Sequence, residues 1–261
     1  IYTASATDSV TEPRTGVTKP FGNDIVLKAL KSISRSAARA IDGWTRDLLS
    51  TAIAVDISIA DDIGYILSMI NDAAFDTNTM MMIGQTRLVG IPKSDGGTRP
   101  ISVGSLLVKL LGASLIRRHN PKPSHMQYAF VQRGHEKIIH TCRVATEEGH
   151  SIMKIDCTNA FNLVNRSILR TALTSESIEI QRYYDTFYGT TTELVSFGPN
   201  NSSETIRTDT GVRQGDSLST YFFCKLLDNA LVEINSIEGT RVFAYVDDIT
   251  IILRSGCLSE V

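Results

Sequence analysis

No stretch of this 261-residue sequence approaches the ~18 uninterrupted apolar residues that a membrane-spanning helix needs. The best candidate, residues 105–116, carries Lys109 and reads as a buried helix. The start lacks the basic, then apolar, then small-residue order of a secretory leader, and it opens on Ile1 rather than Met, which suggests processing or a fragment. Cysteine is scarce. The four present, Cys142, Cys157, Cys224 and Cys257, show no Cys-x-x-Cys spacing, so neither a disulfide scaffold nor a zinc ribbon is expected, and the setting implied is reducing and intracellular. Histidine offers one suggestive pair, His135-Glu-Lys-Ile-Ile-His140, but the second ring comes five residues on rather than four and cannot share a helix face around zinc. There is no internal repeat and no low-complexity tract.

What is present is a globular composition, 42% apolar, with enough length for one large or two small domains. The net charge of −2 hides an uneven distribution. From Gln85 to Arg143, ten Lys or Arg face two acids, a surplus of +8, whereas Val144 to Val261 balances to −7. A basic lobe beside an acidic one suits a protein that grips phosphates with one part and metal with another, although solvated charge on unrelated surfaces would give the same totals.

Along the chain, residues 1–22 are rich in Thr, Ser and Pro and are expected to form a loose arm. From Asn23 to Ile83 the apolar spacing is helical, with a break at Asp42-Gly43. Arg87–Pro92 and Arg99–Val103 read as the arms of a hairpin whose tip is flanked by Lys93 and Arg99. Helices are expected over 105–118 and 136–148, then a strand over 151–156 ending on Asp156, and an amphipathic helix over 161–173. A helix closing at Tyr188, a hairpin over 192–208, a Gly-bracketed loop from Thr210 to Asp216 and a helix over 217–234 follow. Last comes Arg241–Leu253, two β-prone arms with Asp247 and Asp248 at their bend. The sum is an α+β fold, a mainly antiparallel sheet backed by helices, with helical material before it. The expected division is a first region over 23–150 and a core over 151–261, which in the terms of the resemblance given below are fingers-like and palm.

Adjacent carboxylates at a hairpin tip repel unless a cation lies among them; the plain alternative is a solvated turn, which Asp favours. If the strand ending at Asp156 lies beside the hairpin carrying Asp247 and Asp248, three carboxylates converge. Such a set can hold two Mg²⁺ about 3.5–4 Å apart, the arrangement that activates a hydroxyl and stabilises a leaving phosphate oxygen. Magnesium suits an all-oxygen set better than zinc does.

Six segments carry a resemblance. Lys154-Ile-Asp-Cys-Thr-Asn-Ala-Phe-Asn162, Gly211-Val-Arg-Gln-Gly-Asp-Ser-Leu-Ser219 and Ala244-Tyr-Val-Asp-Asp248 resemble, in order, the palm motifs of reverse transcriptases. Ile91-Pro-Lys-Ser-Asp-Gly-Gly-Thr-Arg-Pro-Ile101 is similar to their fingers hairpin. Gly43-Trp-Thr-Arg-Asp-Leu-Leu49 and Gln127-Tyr-Ala-Phe130 resemble more narrowly the non-LTR retrotransposon branch. The likeness spans roughly residues 41–253.

The resemblance implies a right-hand polymerase palm that adds dNTPs to a primer 3′-hydroxyl on an RNA template, with a DNA primer or RNA–DNA hybrid as partner. It implies two Mg²⁺ ions, with Mn²⁺ an acceptable substitute. Asp156 and Asp247 become the main ligands, Asp248 a supporting one, and the backbone carbonyl of Cys157 completes a shell. Phe161 falls where the family sets a ring against the sugar 2′ position, although it also fits as the first core residue of its helix. Gln214 falls where the nucleotide and template are contacted, Gly211 and Gly215 permit close backbone approach, and Lys93 and Arg99 match positions that meet the triphosphate, or are ordinary exposed charges. Thr220 departs from the family's usual Pro. Only eight residues follow the hairpin, so a thumb and primer-gripping element are expected to be absent and activity alone is in question. The rivals are a viral-type RNA-dependent RNA polymerase palm and an inactive nucleic-acid-binding remnant. A nuclear location is expected for a eukaryotic element of this kind.

Overall fold

Apolar residues spaced at three and four wind the first part of the chain into four helices, α1 (Asn23–Ser32), α2 (Arg46–Val55), α3 (Ser58–Asn71) and α4 (Thr77–Gly84). The computed structural model describes residues 17–94 and 96–255; the first sixteen residues of the expected arm, Asp95 at the hairpin tip, and the final six with Cys257 lie outside them. The described end of that arm is packed rather than loose. Phe21 is buried under the Arg118 guanidinium, which lies 3.8 Å from its ring centre, and Thr18 donates its N–H to Asp72 at 2.8 Å.

The chain continues through β1 (Thr86–Pro92), β2 (Thr98–Gly104), α5 (Leu106–His119), α6 (Gly134–Glu147), β3 (Ser151–Asp156), α7 (Arg166–Ala172), α8 (Ile178–Tyr188), β4 (Thr192–Phe197), β5 (Ser203–Thr208), α9 (Ser219–Ser236), β6 (Thr240–Tyr245) and β7 (Asp248–Leu253). Helix α5 begins where Ser105 accepts a hydrogen bond from Leu107 N–H and ends on Asn120 in a left-handed conformation, the ordinary device for stopping a helix. Among the described residues no helix is long and apolar enough to cross a membrane.

Two expectations are corrected. The helix foreseen over 161–173 is two pieces, a 3₁₀ turn (Ala160–Leu163) and α7, because Asn165 interrupts the run and caps α7 by accepting from Ser167 and Ile168 N–H. The strands also form two sheets, not one. One has the order β2-β1-β4-β5, with β1 and β4 parallel; the other has the order β3-β7-β6 and is wholly antiparallel. Pairing of β4 with β1 joins segments about a hundred residues apart, a non-local choice that alternation along either strand does not encode.

The three-stranded sheet is a filled sandwich. Val242, Ala244, Ile249, Ile251 and Leu253 pack with Leu231 of α9 on one face, while Phe243 and Ile252 pack with Ile138 and Ala145 of α6 on the other. The larger core is helical, built from α1, α3, α5, α8 and the first half of α9. Helix α9 belongs to both cores, Phe222 and Phe223 in the larger and Leu231 in the smaller, so it ties the sheet to the helical body.

A buried ion pair locks α8 to the end of α3: Arg182 Nη1 donates to Asp72 at 2.9 Å, with 3% and 16% of the two side chains exposed. Removing one partner of such a pair leaves the other charged and desolvated. Arg182→Met is expected to lower the unfolding free energy by about 3–5 kcal/mol, read by urea unfolding. A loss below about 1 kcal/mol would mean that the Asp72 carboxylate is held as well by Thr18 and water.

Candidate active site

Alternation brings the acids together. In the β3–β7 pair, Asp156 lies directly opposite Asp248, and β6 returns to β7 with Tyr245 opposite Asp248, leaving Val246 and Asp247 as a two-residue turn. Directly opposed residues on neighbouring strands have Cβ atoms ~4.5–5.5 Å apart. The last residue of β3 and the first of β7, from distant parts of the sequence, therefore set carboxylates side by side at one end of the sheet. Among the described residues, no hydrogen-bond donor or cation is paired with the side chains of Asp156, Asp247 or Asp248. Their joint field is felt at Cys157, whose thiol is pushed up first by burial and then by the charges of Asp247, Asp156 and Asp248.

One cleft of about 660 Å³ collects nearly everything the sequence singled out: Lys93, Arg99, Asp156, Cys157, Phe161, Gln214, Asp247 and Asp248 all line it. Thr220, noted for departing from Pro, lines it too. The Phe161 ring stacks on Phe223 of α9 at 5.2 Å between centres and 18° between planes, so it is a packing residue and a cleft wall at once. Lys93 and Arg99 stand exposed on the β1–β2 hairpin that walls the cleft.

Gly215 is not part of that wall. Its φ is +119°, and a side chain there would meet the Ser102 carbonyl at 2.6 Å, so the close approach it permits is to the chain's own β2. The neighbouring carbonyl of Gln214 accepts from Ser102 N–H at 2.8 Å. Gly211 works similarly, with φ of +76° and the Asn162 carbonyl 2.6 Å from where a Cβ would sit. At both glycines the group that comes close is the chain's own backbone.

Two residues that hold this loop carried no signal when read singly. Arg166 spreads its guanidinium over the carbonyls of Thr190, Thr208, Thr210 and Gly211 at 2.9–3.2 Å and the Thr192 hydroxyl at 3.1 Å. Asp216 accepts from the hydroxyls of Tyr183 and Tyr188, both at 2.9 Å, and from Leu218 N–H at 2.8 Å. Burial, reinforced by the Asp216 charge, pushes both phenols well above their ordinary range, so they remain donors. Spacing cannot reveal such anchors, because their partners come from α8, from both ends of the β4–β5 hairpin and from the loop after it.

The donor chemistry of the cleft fits a hard divalent cation: three carboxylates and backbone carbonyls, no imidazole, and acids on adjacent strands with no cationic side chain among them. The side chains are not drawn into a closed cage, since no group of three or more His, Cys, Asp or Glu among the described residues forms a ready-made metal cluster. The turn itself is strained. Val246 has φ of +59°, a conformation a β-branched residue avoids at a cost on the order of 1–3 kcal/mol.

Residues 91–258 match the family model described as reverse transcriptase (RNA-dependent DNA polymerase). The chain is 26% identical over 246 residues to the retrotransposable element SLACS 132 kDa protein of Trypanosoma brucei gambiense, covering 90% of this chain and 20% of that protein. It is 25% identical over 177 residues to the retrovirus-related Pol polyprotein from type-1 retrotransposable element R2 of Popillia japonica, covering 59% of this chain and 24% of that one. The chain thus spans about a fifth to a quarter of the length of these relatives. A solved structure of apo telomerase from Candida tropicalis is similar at a TM-score of 0.46 and 14% identity, over 68% of this chain and 40% of that one. The family match runs through the hairpin tip, all three acids and the Gly-bracketed loop, and by it this chain belongs to the reverse transcriptase family.

Proposed function

We propose that this chain is the nucleotide-adding core of an RNA-directed DNA polymerase of the non-LTR retrotransposon type, extending a DNA primer 3′-hydroxyl with dNTPs on an RNA template. The observation that carries this is the single cleft in which Asp156, Asp247 and Asp248 meet Lys93, Arg99, Phe161 and Gln214. Acids at one wall and cations at another suit a substrate with a reacting hydroxyl and a polyanionic leaving group.

Asp156 and Asp247, supported by Asp248 and the Cys157 carbonyl, are the groups to hold divalent metal. A pair of Mg²⁺ ions, or Mn²⁺ in their place, supplies activation of the hydroxyl and stabilisation of the leaving phosphate oxygen when bound there. Lys93 and Arg99 offer positive charge to the triphosphate from the hairpin. Phe161, backed by Phe223 and unable to retreat into α9, closes the space that a ribose 2′-hydroxyl would need. Gln214 presents its side chain to the same cleft while its carbonyl holds β2, coupling nucleotide contact to the position of the hairpin.

Extension of oligo(dT) on poly(rA) tests the assignment. Asp247→Asn keeps size and removes charge, and its rate is expected to fall by about a hundredfold or more; equal extension by variant and wild type would end the catalytic reading.

Sugar choice tests Phe161 separately. Phe161→Ala is expected to raise ribonucleotide incorporation relative to deoxynucleotide by about tenfold. Unchanged selectivity, with lowered stability, would leave that ring as the stacking partner of Phe223 and no more.

A further inference from the structure

The strained turn is held from outside. The Val246 N–H donates to Gln127 Oε1 at 3.1 Å, and the Val246 carbonyl accepts from Gln127 Nε2 at 3.2 Å. One planar amide thus grips both polar groups of the residue whose φ is +59°. The orientation of the amide is unambiguous, because the reverse would set oxygen against oxygen and N–H against N–H. Gln127 is 1% exposed and lies 119 residues away in sequence.

The frame behind the amide is itself fixed. The Ala244 N–H donates to the Met126 carbonyl at 2.9 Å, making 126–127 a short parallel neighbour of β6. Gln127 N–H donates to the Ser124 carbonyl, and Ser124 N–H donates to Asp228 of α9 at 2.9 Å. The clamp is therefore referenced to the same helix and strand that carry the smaller core. Few side chains meet the requirement: a donor and an acceptor on one rigid group, at the reach of two methylenes. Glu keeps only the acceptor, Leu neither, and Asn falls a methylene short.

We propose that Gln127 is a positioning residue for the polymerase reaction: by fixing Val246 in a conformation it would not hold alone, it sets the direction in which Asp247 leaves the turn. Gln127 is not among the residues that line the cleft. The claim rests on the polymerase assignment above, and its ordinary alternative is a buried amide that is satisfied and stabilising without bearing on the chemistry.

The test uses the whole chain with Gln127→Leu, Gln127→Glu and each combined with Val246→Gly, reading amide exchange at Val246, thermal midpoint, and primer extension against Mg²⁺ concentration. Gln127→Leu is expected to lose exchange protection at the position 246 amide. Its kcat should fall by about tenfold or more, with a raised Mg²⁺ requirement and an unchanged KM for primer–template. Glycine adopts positive φ without strain, so Val246→Gly should recover part of the lost kcat in the Gln127→Leu background, a rescue that a merely stabilising amide does not predict. Gln127→Glu preserves volume and one hydrogen bond and should fall between; should the Leu variant fold poorly, this one decides. The proposal is overturned if the Glu variant, folded, keeps kcat and Mg²⁺ dependence within twofold of wild type. An inactive wild type would overturn the polymerase reading and the role of Gln127 with it, whereas an active wild type indifferent to position 127 would overturn this proposal alone.

Discussion

A single strand register governs the cleft. Asp156 lies opposite Asp248 because β3 and β7 pair without offset, and a slip of one residue would carry every side chain of β7 to the other face of the sheet. What prevents the slip is burial on both faces. Ile249, Ile251 and Leu253 fill the space over α9 while Ile252 fills that under α6, so the wrong register would exchange isoleucines for Thr250 and Asp248 in a dry interior. Exposing or misplacing even one such side chain costs about 1.5–3 kcal/mol. The chemistry of the strand's end is thus specified by the packing of its middle.

A second coupling links the two sheets. The loop from Asp209 to Leu218 lies between the β1–β2 hairpin and the 3₁₀ turn after Asp156: Ser102 N–H donates to Gln214, Val212 N–H to the Phe161 carbonyl and Gly211 N–H to the Val164 carbonyl. Arg166 gathers the carbonyls at one end of this loop and Asp216 gathers hydroxyls and an N–H at the other. Displacing the hairpin therefore displaces Gln214 and strains the contacts of Phe161. Cations, ring and acids occupy one cleft because they hang from one connected backbone frame.

Much of this was legible in the letters. Helix α5 followed from its leucine stripe and its Asn120-Pro stop, the two late strands from their β-branched alternation, and the three acids from their place at one strand end and one hairpin bend. Where the sequence misled, one cause was a local cap masked by apolar periodicity and the other was non-local. A run of apolar positions at helical spacing over 161–173 hid the cap at Asn165, and strand composition gave no hint that β4 would choose β1 rather than the acid-bearing sheet. At Gly215 the sequence shows tolerance of close approach, and only the structure shows that Ser102 is a group that approaches it. Gln127 stood in a motif without a stated task, since a buried amide shows its purpose only when its partners are visible.

The turn at Val246 and Asp247 breaks two local rules at once, a β-branched residue at positive φ and adjoining like charges, and neither is relieved by its neighbours in sequence. Local preference alone would relax the turn toward negative φ and let the acids splay into water. Sequences in which local and global preferences agree fold without such conflicts, so a persistent conflict marks a place where position matters more than comfort. Here the correction arrives through Gln127, mounted on Met126 and Ser124 and through them on β6 and α9. Because those elements are also the ones that bury the smaller core, the energy that opposes relaxation is the packing energy of that core rather than anything in the turn. The acids can then be held in a geometry that no short peptide of the same sequence would keep.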